Sequence, residues 1–72
     1  MIYFTAYANQ KFSLLNNHGV FIRKEQVESS VLSPNINGKI GKYLTAEKSG
    51  VKVVYEKDGK VKKIITFYPT TV

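Results

Sequence analysis

The feature that most limits how this chain can fold is the stretch VKVVYEKDGKVKKIITFYP, residues 51–69. Apolar and polar side chains alternate on both sides of Asp58-Gly59, and alternation with period two is typical of a half-buried β-strand. An Asp-Gly pair between two such runs is a strong signal for a tight hairpin. The stretch therefore predicts antiparallel strands over 51–57 and 60–68, whose apolar face needs a second layer to cover it.

The first half of the chain has the period of helices. Four apolar residues recur at helical spacing, and they are Phe4, Ala8, Phe12 and Leu15. Thr5 suits the N-cap of this first helix, and Gly19 suits the position just after its end. Val27 and Val31, four residues apart, predict a second helix over Lys24–Leu32.

Between the second helix and the hairpin, PNING at residues 34–38 is typical of a loop and KIGKYLTAE at 39–47 of a strand. Ser49-Gly50 turns the chain into the hairpin, and IYF at residues 2–4 can add a short fourth strand. The 72 residues form one domain. The predicted fold class is α+β, with two N-terminal helices packed on one face of a small antiparallel β-meander.

The register of the hairpin decides which residues face the helices, because a slip of one residue exchanges the two faces of a strand. A two-residue Asp58-Gly59 turn pairs Lys57 with Lys60 and divides the apolar residues between the faces. A three-residue loop pairs Glu56 with Lys60 and gathers Val53, Tyr55, Ile65 and Phe67 toward the helices. Burial favours this second register, which leaves an opposite face that includes Lys52, Val54, Lys60, Lys62, Ile64, Thr66 and Tyr68.

The charge of the chain lies mainly in its second half. The formal net charge is +6, and residues 39–72 carry eight lysines against three acidic residues. A basic patch of this kind attracts nucleic acid or an acidic partner, although a lysine-rich surface can also be merely solvated. The candidate nucleic-acid-binding residues are Lys52, Lys60, Lys62 and Tyr68, on the sheet face that the helices leave open.

Several classes of function are disfavoured by the composition. The chain has no cysteine, no cluster of metal-ligating residues and no phosphate-binding glycine loop, so we expect neither a metal nor a cofactor. The first residues lack the pattern of a signal peptide, and no apolar run approaches the ~20 residues of a membrane span. We therefore expect a cytoplasmic protein with no membrane partner.

Three stretches, YANQKF, VLSP and VVYEKDGKVKKIITFYP, resemble a small uncharacterised family grouped with the RelE/ParE-like toxins. The resemblance implies two helices over a small antiparallel sheet. It also implies RNA or the ribosome as a target, an acidic antitoxin-like protein as a partner and, if the protein is an enzyme, metal-independent endoribonuclease activity. A gyrase-directed or DNA-directed relative is a further possibility within the same superfamily.

The chain departs from this family where catalysis would be decided. Many relatives have His-Ala at the position of Tyr7-Ala8, and they often continue past the Tyr-Pro pair with arginines, where this chain has TTV. Tyr7, Lys11 and Tyr68 remain as catalytic candidates. His18 lies eleven residues beyond Tyr7, about 16 Å along a helix, which is too far for the two to share a proton.

We therefore expect weak or absent RNA cleavage. The alternative function is a non-catalytic interaction module, in which the open sheet face binds a partner or a second copy of the chain.

Overall fold

The computed structural model describes residues 1–70 as one five-stranded sheet with two helices. The elements in chain order are β1 (Ile2–Phe4), α1 (Ala6–Asn17), α2 (Lys24–Leu32), β2 (Ile36–Ile40), β3 (Tyr43–Lys48), β4 (Val51–Asp58) and β5 (Val61–Pro69). Within the sheet the strands are ordered β1-β5-β4-β3-β2. Strands β2 to β5 form an antiparallel meander, and β1 pairs in parallel with β5.

The α+β class is confirmed, but two details of the predicted architecture are wrong. The helices are not N-terminal, because β1 precedes them, and the sheet is mixed, because β1 is parallel to its neighbour. Helix α1 packs on β5 and β1, and α2 packs on β3 and β4. One face of the sheet therefore carries the helices, and the other, here called the open face, is covered by no element of residues 1–70.

The helix ends lie where the sequence predicts them. The Thr5 hydroxyl accepts the N–H of Ala8 at 3.2 Å and donates to the carbonyl of Ile64 at 2.8 Å, so it caps α1 and ties it to β5. Gly19 follows α1 with φ of +79°, the left-handed conformation that glycine adopts most readily. Helix α2 spans the predicted residues, and Gln26 Oε1 accepts the N–H of Arg23 at 2.7 Å.

The core lies between the helices and the sheet. Its fully buried side chains include Ala8 and Val27 from the helices and Val53, Ile64 and Phe67 from the strands. An aromatic group extends through it: the ring of Phe12 lies 4.4 Å from that of Phe67 and 5.7 Å from that of Phe4, measured between centroids. Such pairs add to the stabilisation from apolar burial.

The prediction of one strand over 39–47 is wrong, because the chain turns at Gly41-Lys42. Strand β2 begins at Ile36, inside the predicted loop, and Ile40 pairs with Tyr43 across this turn. Gly41 has φ of +59° while Lys42 has no positive φ, which is the pattern of a type II′ hairpin with glycine at its first central position. The stretch therefore supplies a hairpin of its own.

Neither hairpin register weighed for 51–69 is correct. Asp58 pairs with Val61 around a Gly59-Lys60 loop, so the turn lies one residue beyond the Asp-Gly pair. A β-bulge then shifts the ladder at the level of Val54 and Tyr55. Three of the residues predicted to face the helices do so, Val53, Tyr55 and Phe67, whereas Ile64 takes the buried place expected for Ile65.

Gly38 carries a testable consequence for β2. A Cβ at this position would lie 2.6 Å from Oγ1 of Thr45, its partner on β3. We expect Gly38→Val to lower the free energy of unfolding by about 1–3 kcal/mol, because the new side chain must displace a packed neighbour. Lys39→Val, on the opposite side of the same strand, should change it by less than about 0.5 kcal/mol. Urea denaturation compares the two, and equal effects would show that Gly38 is not sterically required.

Candidate nucleic-acid interface

Three rows of side chains run across the strands on the open face. The middle row is small and uncharged, and it contains Thr66, Val54, Thr45 and Gly38. The two flanking rows each begin with a tyrosine and continue with a lysine and a glutamate: Tyr3, Lys63 and Glu56 in one, and Tyr68, Lys52 and Glu47 in the other. Ile36 and Ile40 complete the face on β2.

Each lysine of the open face lies directly opposite a glutamate in the ladder. Lys52 is directly opposite Glu47 in the ladder, and Lys63 is directly opposite Glu56. Lys63 Nζ also lies 3.2 Å from a carboxylate oxygen of Asp58. With two lysines against three acidic residues, this face has no excess of positive charge. The sequence predicted a basic open face, and the structure corrects that prediction.

The four candidate binding residues do not lie together. Lys52 and Tyr68 are direct partners on the open face. Lys60 lies in the turn between β4 and β5, and Lys62 lies on the side of the sheet that carries the helices. The bulge causes this separation, because residues of β5 on its two sides change faces relative to a regular strand.

Three lysines that take part in neither salt bridge of residues 1–70 lie at the turn between β4 and β5. Lys57 and Lys62 are direct cross-strand partners, and Lys60 lies in the loop between them. We call these three residues the lysine hairpin. Within residues 1–70, the two salt bridges use Lys42 and Lys63, and neither includes a member of this set.

The lysine hairpin is anchored at its base. The N–H of Lys62 donates to the carbonyl of Met1 at 2.9 Å, which extends the pairing of β1 with β5 to residue 1. Lys57 and Lys60 are exposed, and Lys62 is half-buried. The hairpin therefore presents three ammonium groups on a backbone that β1 holds on its β5 side.

The catalytic candidates do not converge on one site. Tyr7 and Lys11 lie one turn apart on the outer surface of α1, where they line a shallow depression with Leu14. Tyr68 lies on the open face, so the sheet separates it from Tyr7 and Lys11. His18 is the C-cap residue of α1 and is exposed, as its place beside Gly19 predicts. Tyr7 and Lys11 share this depression, but neither Tyr68 nor His18 is among its lining residues, so the four groups are not placed to act together on one substrate.

Sequence reasoning missed Lys57 as a member of the basic site. A partial signal was the Gly-Lys pair, which occurs at 38–39, 41–42 and 59–60. With glycine at the first loop position, the pairs at 41–42 and 59–60 fit two-residue type II′ turns, whereas the pair at 38–39 lies inside β2. A Gly59-Lys60 loop makes 57 and 62 cross-strand neighbours.

In the part of the chain that the structure describes, no group of three or more His, Cys, Asp or Glu residues could hold a metal ion. None of the helices in residues 1–70 combines the length and the apolar character that crossing a membrane requires.

Comparison of the chain with protein families, with curated proteins and with solved structures gives no match.

Proposed function

We propose that this protein binds single-stranded RNA through the lysine hairpin. The observation that carries the proposal is the direct cross-strand pairing of Lys57 with Lys62, with Lys60 in the turn that joins their strands. Like charges directly opposite each other destabilise a sheet. An RNA phosphate between the two ammonium groups would offset this repulsion.

The shape of the site fits a flexible polyanion. The three lysines lie at the end of a hairpin, where Lys57 and Lys60 are exposed and Lys62 is half-buried. Lysine contacts phosphate as a point charge and does not read bases, so we expect little sequence preference. The resemblance to RelE/ParE-like toxins is part of the proposal, since it favours RNA on the ribosome as the target. An acidic antitoxin-like partner would compete for the same lysines, and an RNA target implies a cytoplasmic protein.

The proposed function is to bind RNA without cleaving it efficiently. Tyr7 and Lys11 on α1 are separated from Tyr68 by the sheet, so these candidates cannot act on one phosphodiester. The lysine hairpin itself consists of Lys57, Lys60 and Lys62 and includes none of these catalytic candidates. RNA recovered after binding should therefore be intact.

Two double variants with the same change in net charge test the location of the site. Lys57→Gln/Lys62→Gln removes the cross-strand pair, and we expect it to weaken binding of a fluorescent single-stranded RNA on the order of tenfold. Lys48→Gln/Lys52→Gln removes two lysines at the other end of the sheet and should change the affinity much less. Fluorescence anisotropy measures both, with circular dichroism to verify folding.

Equal losses in the two variants would mean that RNA binding is spread over the surface. A larger loss of RNA affinity in Lys48→Gln/Lys52→Gln would place the binding site at Lys52.

The second candidate function is protein binding through the open face. It is favoured by four exposed apolar or aromatic side chains on a face that has no excess of positive charge: Tyr3, Ile36, Ile40 and Tyr68. Failure of the wild-type protein to bind RNA at low salt would favour this alternative.

A further inference from the structure

Strand β2 forms an edge of the sheet and is exposed along its whole length. It pairs with β3 on one side, and no strand of residues 1–70 covers the other. All five of its residues are exposed, and the side chains of Ile36 and Ile40 are 60% and 58% exposed. Natural proteins protect such edges with charges, prolines or bulges, because an open strand invites pairing with another chain. Here Lys39 is the only charged residue, and it projects from the side opposite to the isoleucines.

The sequence of β2 is nearly palindromic. Ile-Asn-Gly-Lys-Ile has an isoleucine at each end, a polar residue inside each isoleucine and Gly38 at the centre. Two antiparallel copies of such a strand present the same residues to each other when a two-fold axis passes through Gly38. This is the self-complementarity that an isologous dimer requires.

The backbone N–H and C=O groups at the uncovered side of β2 belong to the residues that this two-fold dimer would pair. Ile40 and Tyr43 flank the Gly41-Lys42 loop as ladder partners, and the residues that flank a two-residue turn bond to each other. Antiparallel residues alternate between bonding to one neighbour and bonding to the other. Counting back from Ile40, Asn37 and Lys39 therefore direct their N–H and C=O groups to the uncovered side.

Only some registers can use these groups. With the axis at Gly38, Asn37 of each copy lies opposite Lys39 of the other. The outward N–H and C=O groups of these two residues therefore face each other and can form hydrogen bonds at both positions. Ile36 lies opposite Ile40 of the second copy on the open face, and the two glycines at the axis leave room between them. Each lysine lies opposite an amide side chain instead of the other lysine. The directions of the backbone N–H and C=O groups, the contact between isoleucines and the separation of the two lysines thus all favour the same register.

We propose that β2 pairs with β2 of a second copy of this chain, in antiparallel register about Gly38, to give a continuous ten-stranded sheet. The inference does not depend on RNA binding. Five-residue strands bury less than the ~1,200 Å² of a standard stable interface, so the dimer should be weak and reversible. Analytical ultracentrifugation should show the 8.1 kDa chain approaching twice its mass as its concentration rises toward about 1 mM.

Asn37→Pro tests the backbone pairing. Proline removes the outward N–H of this residue and leaves the bonds of β2 to β3 in place, as edge strands tolerate. We expect this variant to remain a folded monomer at concentrations where wild type associates. Asn37→Ala, which keeps the N–H, should associate as wild type does. Association of the proline variant at wild-type strength, or a monomeric wild type at about 1 mM, would overturn the proposal.

Cysteine cross-linking tests the register, since the chain has no cysteine of its own. Ile36→Cys and Ile40→Cys, mixed and mildly oxidised, should form a disulfide-linked dimer, because residues opposite each other in such a pair lie within bonding range. Either variant alone should cross-link far more slowly, since its two cysteines lie about 13 Å apart along the strands. Equal cross-linking of the single variants and the mixture would refute the register.

Discussion

Phe67→Ala should remove a large part of the stability of this domain. The side chain is fully buried, and its ring packs 4.4 Å from that of Phe12, between α1 and the centre of the sheet. Truncation of a buried phenylalanine to alanine costs about 3–5 kcal/mol, since apolar contact is lost and a cavity remains. A 72-residue domain has a total stability of roughly 4–11 kcal/mol at 0.05–0.15 kcal/mol per residue.

The matched control is Phe21→Ala, which removes the same atoms from a side chain that is 74% exposed. It should change the free energy of unfolding by less than about 0.5 kcal/mol. Phe67→Leu keeps most of the buried volume and should remain folded if the alanine variant does not. Urea denaturation of all three gives the comparison, and a small effect of Phe67→Ala would mean that the aromatic group does not hold α1 to the sheet.

The helices could be predicted from the sequence because their signals are local. Thr5 and Gly19 mark the ends of α1 by their own conformational preferences, and α2 is bounded by a polar start and a proline. These preferences act within a few residues, so no knowledge of the tertiary structure is needed. The buried face of α2 follows from the spacing of Val27 and Val31 alone.

The sheet register could not be predicted in the same way. Ile64 and Phe67 are both buried, yet they lie three residues apart, which a regular strand with period two does not allow. The bulge beside Val54 and Tyr55 resolves this conflict by adding one residue to β5. Since a bulge depends on what the opposite strand and the helices can bury, it is a property of the assembled core.

The candidate site depended on the register and therefore changed with it. In a regular strand pair Lys52 and Lys62 would lie on the same face of the sheet, but the bulge places them on opposite faces. Lys52 then lies directly opposite Glu47, a neighbourhood that is visible only once the register of β3 and β4 is known. The excess of lysine was evident from the sequence, whereas its position was not.

The affinity of the lysine hairpin for RNA should fall steeply with salt. Each phosphate contact on a single strand contributes a slope of about −0.7 to the dependence of log K on log salt. Three engaged lysines give a slope of about −2.1, so a fourfold rise in salt should weaken binding by roughly twentyfold. Surface charges of this kind have no other strong source of affinity, because counterion release dominates non-specific binding.

The slope of log K against log salt also gives the number of lysine–phosphate contacts. It therefore distinguishes binding at the lysine hairpin from binding over a diffuse basic surface. Removing Lys57, Lys60 and Lys62 together should bring the slope close to zero if these residues make the phosphate contacts. Tyr68→Ala should leave the affinity unchanged, because Tyr68 lies on the open face, away from the hairpin. A loss of about 1–3 kcal/mol in that variant would instead indicate a base stacked on the tyrosine and an RNA path across the open face. Anisotropy titrations at two salt concentrations, with wild type and both variants, distinguish these paths, and a wild-type slope near zero would contradict phosphate binding by either one.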